Sequence, residues 1–84
     1  MKTKKELYDA LIAELHKFPM SLKGFDPVER INTRFGMQAQ RMYARGNEIW
    51  FEWNTVSWRY ATNEKSIKKE ILVALCDVAK IPLS

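Results

Sequence analysis

Between residues 37 and 60 apolar and polar side chains alternate, and Gly46-Asn47 interrupts the alternation with the dipeptide of a tight hairpin turn. A period of two belongs to a strand that buries one side, so this segment must fold as a sheet with one oily face. The Gly46-Asn47 turn pairs Arg45 with Glu48, Ala44 with Ile49, Tyr43 with Trp50, Met42 with Phe51 and Arg41 with Glu52. A second tight turn at Asn54-Thr55 is expected to pair Trp53 with Val56, Phe51 with Trp58, Trp50 with Arg59 and Ile49 with Tyr60. Both registers send Met42, Ala44, Ile49, Phe51, Trp53, Val56, Trp58 and Tyr60 inward. They line up Tyr43, Trp50 and Arg59 as a row on the outer face, flanked by Arg41 with Glu52 and by Arg45 with Glu48.

The rest of the chain supplies cover for the oily face. Thr3 and Glu6 form a capping-box pattern, and Leu7, Leu11, Leu15 and Phe18, with Tyr8 and Ile12, repeat at helical spacing, so a helix is expected over residues 4–17. His16 and Lys17 place positive charge in its last turn, and Pro19 stops it. Residues 19–26 read as a loop, and Asp26-Pro27-Val28-Glu29 starts a short helix from Pro27 to Thr33. Met37 and Ala39 fall out of phase with Met42 and Ala44, which predicts a bulge near Gln40 or Arg41. After the third strand, Asn63 or Thr62 is expected to cap a helix over residues 64–79 with Ile67, Ile71, Ala74, Leu75 and Val78 on one side, ended by Pro82. The fold class that follows is α+β. It is expected to be one domain over residues 1–84, a two-layer sandwich in the order helix, short helix, three-stranded antiparallel meander, helix, with the two main helices on one sheet face.

Chemistry narrows the function by exclusion. His16 is the only histidine and Cys76 the only cysteine, which removes a histidine metal cluster and an intramolecular disulfide. Both residues fall on expected helices, where a helix-end charge and a small core residue account for them. Gly24, Gly36 and Gly46 are isolated and make no phosphate-cradling loop, and Glu48 and Glu52 each face an arginine. No catalytic residue, cofactor or metal is therefore expected, and the chain reads as non-enzymatic. It also has no run approaching the roughly 18 apolar residues of a membrane span and no signal-peptide pattern, so a cytoplasmic setting is the expectation.

The outer sheet row is the best functional clue. Tyr43, Trp50 and Arg59 in one row offer planar groups for stacking an unpaired base, and Arg41 and Arg45 nearby offer guanidinium groups for phosphates. The net charge of +4 suits a polyanion, and between Arg30 and Arg45 there are four arginines and no acid. Lys2, Lys4 and Lys5 look by contrast like a frayed, solvated end. Exposed aromatic residues among arginines are also the composition of a protein interface, so a protein partner or a homodimer through the sheet is the second expectation.

The order helix, three antiparallel strands, helix looks like the double-stranded RNA-binding domain. The stretch Lys65-Ser66-Ile67-Lys68-Lys69-Glu70, continuing to Ala74-Leu75, is similar to the start of that family's second helix. The resemblance implies that Lys65, Lys68 and Lys69 meet phosphates across an RNA groove. It covers about ten residues and stays a likeness of topology, because Gly46-Asn47 stands where that family carries a histidine-bearing loop. Small chains without catalytic residues also look like the accessory and inhibitor proteins of bacterial mobile elements, a likeness of type that no motif carries.

Overall fold

The computed structural model describes residues 2–17, 39, 41–53 and 58–84, the side chains of Trp53, Trp58 and Val78 excepted. Two helices, α1 (Lys4–Leu15) and α2 (Lys69–Val78), flank three strands, β1 (Arg41–Arg45), β2 (Glu48–Trp53) and β3 (Trp58–Thr62). The strands form one antiparallel sheet in the order β1-β2-β3, so the fold is α+β. The short helix expected over 27–33, the loop over 19–26, and the turn at Asn54-Thr55 with Val56 lie outside the described residues; of the two positions expected for a bulge, Gln40 lies outside them and Arg41 pairs regularly with Glu52.

The capping box at the start of α1 forms as the sequence indicates. Thr3 Oγ1 accepts from the Glu6 N–H over 3.1 Å while Glu6 Oε1 accepts from the Thr3 N–H over 2.8 Å. The bond from the Thr3 N–H, reinforced by the Thr3 side chain, holds the Glu6 carboxyl below the usual carboxylate range. The helix is two residues shorter than expected, because His16 is its C-cap and the Lys17 N–H turns tightly onto Glu14 O. The N-terminus is not frayed either: Lys2 and Lys4 are half-buried, and the Lys2 N–H donates to Leu83 O over 2.8 Å.

Around Gly46-Asn47 the register is the expected one throughout, from Arg45 opposite Glu48 to Arg41 opposite Glu52. Gly46 has φ +57° and Asn47 is not in the left-handed region, the signature of a type II′ turn, where glycine at the first position adopts a positive φ without strain. The β2–β3 register differs from the expectation by two residues. Ile49 pairs with Thr62, Trp50 with Ala61, Phe51 with Tyr60, Glu52 with Arg59 and Trp53 with Trp58. β2 ends at Trp53 and β3 begins at Trp58, and a shift of two leaves the described side chains on their expected faces.

The last helix starts five residues later than expected. Asn63 does cap, but it caps a single turn: its Oδ1 accepts from the Lys65 and Ser66 N–H groups, and its carbonyl from Ser66 and Ile67. Lys68 is then extended, at φ −69° and ψ 138°, and α2 begins behind it without a side-chain cap. This reset turns the helix so that Leu72, Ala74, Leu75 and Cys76 are buried together with Ile67, while Ile71 is only half-buried. Past Ala79, Lys80 adopts φ 63°; the Ile81 N–H reaches Cys76 O at 2.8 Å and the Lys80 N–H reaches Asp77 O at 3.0 Å. That pair of bonds is a Schellman motif.

Leu7, Leu11 and Leu15 of α1, Met42, Ile49 and Phe51 of the sheet, and Leu72, Leu75 and Cys76 of α2 meet in one buried cluster. Two polar bonds fix the hairpin against α1. The Tyr8 hydroxyl donates to Asn47 O over 2.6 Å, and His16 Nε2 lies 3.0 Å from Gly46 O, which makes Nε2 the protonated nitrogen.

Candidate functional site

On the outer face the observed registers build three rows. Arg41, Glu52 and Arg59 form one; Tyr43, Trp50 and Ala61 the next; Arg45 and Glu48 the third. Arg59 is thus not in the row of Tyr43 and Trp50, as expected from sequence, but opposite Glu52. Glu52 sits between two cations, with Arg41 Nη1 3.2 Å from Oε1 and Arg59 Nε 3.3 Å from Oε2. The Tyr43 hydroxyl also donates to Oε2, over 2.7 Å.

These contacts change the character of the face. Tyr43 was expected to present an open ring and is instead 3% exposed, outside the main core cluster, with the Arg41 guanidinium 5.6 Å from its ring centroid. Burial, reinforced by the Glu52 carboxylate, raises its hydroxyl above the ordinary tyrosine range. Trp50 is half-buried, with the Arg45 guanidinium 4.9 Å from its ring centroid and its indole N–H directed to Glu48 Oε1 at 3.3 Å. The planar groups and the charges of this face are largely spent on one another.

The lysines expected at one helix N-terminus are divided. Lys65 belongs to the Asn63 turn, where it borders a polar hollow of about 410 Å³ with Lys5, Tyr8, Asp9 and Asn47. Lys68 is the N-cap of α2 and Lys69 its first residue, and all three are exposed.

A second region, not singled out by sequence, is the free margin of β3. In a two-residue hairpin the flanking pair, Arg45 with Glu48, exchanges both backbone bonds, and bonded pairs then alternate. Residues 48, 50 and 52 of β2 therefore bond β1, and 49, 51 and 53 bond β3 at Thr62, Tyr60 and Trp58. The N–H and C=O groups of Arg59 and Ala61 point away from the sheet, and among the described residues they have no partner. The other edge strand, β1, is the strand against which α1 packs.

Beside this margin the inner face is incompletely covered. Tyr60 is 52% exposed although it faces inward, tilted 32° against Phe51 with ring centroids 6.3 Å apart. Phe51, Tyr60, Thr62, Ile67, Lys68 and Ile71 line a hollow of about 150 Å³, roomy enough for one side chain. Thr62 Oγ1 is buried there without a hydrogen-bond partner among the described residues. The alternation in sequence identifies Tyr60 as inward-facing; the length of the β2–β3 connection and the late start of α2, which leave it uncovered, have no local signature.

Cys76 and His16 do not approach each other's partners. The Cys76 Sγ–H is directed to Leu7 O at 3.6 Å, and burial pushes its thiol up to about 11. Among the described residues no group of three or more His, Cys, Asp or Glu side chains is placed to hold a metal ion, and no helix is long and apolar enough to cross a membrane. Comparison with protein-family models, curated proteins and solved structures finds no match for this chain.

Proposed function

We propose that the chain is a non-enzymatic protein-binding module that receives an extended segment of a partner along β3. The observation that carries this reading is that the outward backbone groups of Arg59 and Ala61, next to an exposed Tyr60, have no partner among the described residues. An edge strand with unpaired N–H and C=O groups is a template for another strand, and main-chain bonding supplies affinity to such additions. The reading treats the two helices as one layer over the inner sheet face, which leaves the β3 margin as the open side. A reducing, cytoplasmic setting belongs to it, in keeping with a single buried cysteine.

Nucleic-acid binding through the outer face is less well supported. Base stacking needs an accessible ring, and Tyr43 is buried while Trp50 lies under Arg45. A regulator or inhibitor role, acting by occupying a partner's segment, fits a module with this kind of edge.

Selection from a peptide-display library tests the reading. Enriched peptides should bind the native chain and lose binding to Ala61→Pro, which removes an outward N–H and leaves the β2–β3 bonds in place. No enrichment, combined with salt-dependent binding of single-stranded RNA or DNA, would return the function to the outer face.

A further inference from the structure

The geometry points to a sequence preference at this edge: an extended partner segment that alternates apolar with acidic side chains, the apolar one filling the Phe51–Tyr60–Ile71 hollow and the acidic one meeting Arg59. This rests on the strand-addition reading and adds to it the chemistry of the partner.

Strand pairing fixes where the side chains go. A segment added antiparallel to β3 and bonded to Arg59 and Ala61 faces Tyr60 as a non-bonded pair, the arrangement in which opposing side chains approach most closely. The residue opposite Tyr60 points to the inner face, where the apolar hollow of about 150 Å³ lies between β3 and the start of α2. Its walls are the rings of Phe51 and Tyr60 and the aliphatic chains of Ile67 and Ile71, with the Lys68 stem at the rim.

The neighbouring partner residue, opposite Arg59, points to the outer face. Arg59 is 59% exposed and touches Glu52 through Nε, so its outer guanidinium edge faces solvent. Lys68 and Lys69 stand exposed at the other side of the margin, with Glu70 as the acid of the first turn of α2. The cations outnumber the acids along this margin, so an acidic strand gains and a basic one is repelled.

Fluorescence anisotropy with labelled peptides long enough to span β3 tests the preference. A valine–glutamate alternation should bind, and a valine–lysine or serine–glutamate alternation should bind about tenfold more weakly or worse. Lys68→Glu and Tyr60→Ser, both at exposed positions, should each weaken the valine–glutamate peptide while the thermal transition stays cooperative, and Ala61→Pro should abolish it. Equal binding of the valine–lysine peptide would overturn the acidic preference, and equal binding of the serine–glutamate peptide would overturn the hollow as anchor. If library peptides bind but the valine–glutamate peptide does not, the preference fails and strand addition stands. If no peptide of any kind binds, both fail.

Discussion

The Tyr43 hydroxyl donates to Glu52 Oε2 over 2.7 Å, and the two residues lie on adjacent strands, one row apart on the outer sheet face. Glu52 is 15% exposed and forms ion pairs with Arg41 and Arg59 as well, so a single carboxylate ties β1, β2 and β3 together across the side opposite the core. Removing it leaves the buried Tyr43 hydroxyl without its acceptor and the half-buried Arg41 without its counter-ion. Glu52→Ala should cost about 2 to 3 kcal/mol, and Tyr43→Phe about 1 kcal/mol. Arg59→Ala should cost less than either, since exposed ion pairs are worth about 0 to 1 kcal/mol. Urea unfolding of the three variants checks the order; a Glu52→Ala variant as stable as the native chain would show that the carboxylate merely decorates the face.

Trp50 and Phe51 are neighbours in sequence on opposite sides of the sheet, and their energetics should differ accordingly. Phe51 is buried in the core cluster and Trp50 is half-buried beneath Arg45. Phe51→Ala should cost about 3 to 5 kcal/mol and threaten folding in a chain of this size. Trp50→Ala loses a cation–π contact and some packing, about 1 kcal/mol, and should leave a cooperative transition. Unfolding by Trp50→Ala with tolerance of Phe51→Ala would mean that the sheet faces are reversed.

The contrast between the two sheet connections explains what the sequence discloses. Gly46-Asn47 dictates its own geometry, because a two-residue loop with glycine first fixes both turn type and register. Nothing comparable marks the residues after Trp53, and a two-residue loop and a four-residue loop place every side chain on the same face. Alternation therefore revealed that Met42, Ala44, Ile49 and Phe51 face the core but not that Arg59 meets Glu52 and Tyr60 meets Phe51. Asn63 shows a similar ambiguity: its side chain signals the start of a turn, and whether that turn continues as helix depends on how Ile67 and Leu72 reach the core. The β3 margin was hidden for the same reason, since its openness is a property of what fails to cover Tyr60.

Lys80 offers a gain in stability. It holds the left-handed position of the Schellman motif at φ 63°, where a Cβ is unfavourable and glycine is not. Part of the benefit of Lys80→Gly is offset by the greater freedom glycine gives the unfolded chain. A net gain of about 0.5 kcal/mol is expected, seen as a higher denaturation midpoint with an unchanged slope. A loss would indicate that the Lys80 side chain makes a stabilising contact that outweighs the backbone strain.

Alkaline pH should unfold the protein through groups that the fold keeps protonated. Burial pushes the Cys76 thiol from 9.0 to about 11, and burial also raises the Tyr8 and Tyr43 hydroxyls above their ordinary 10.0. For each group the folded value exceeds the unfolded one, so the unfolded chain releases its proton first as pH rises. Their stabilisation is complete below pH 9, declines from there as the unfolded thiol ionises, and declines more steeply past 10 when the tyrosines join. At neutral pH the same burial should keep Cys76 unreactive toward an aromatic disulfide reagent until the chain unfolds. Cys76→Ala should lower stability at neutral pH by leaving a small void, yet flatten the decline between pH 9 and 10, because the titrating thiol is gone. Denaturation midpoints measured across that interval decide the matter: parallel curves for the native chain and Cys76→Ala would remove the thiol as the origin of the early alkaline loss.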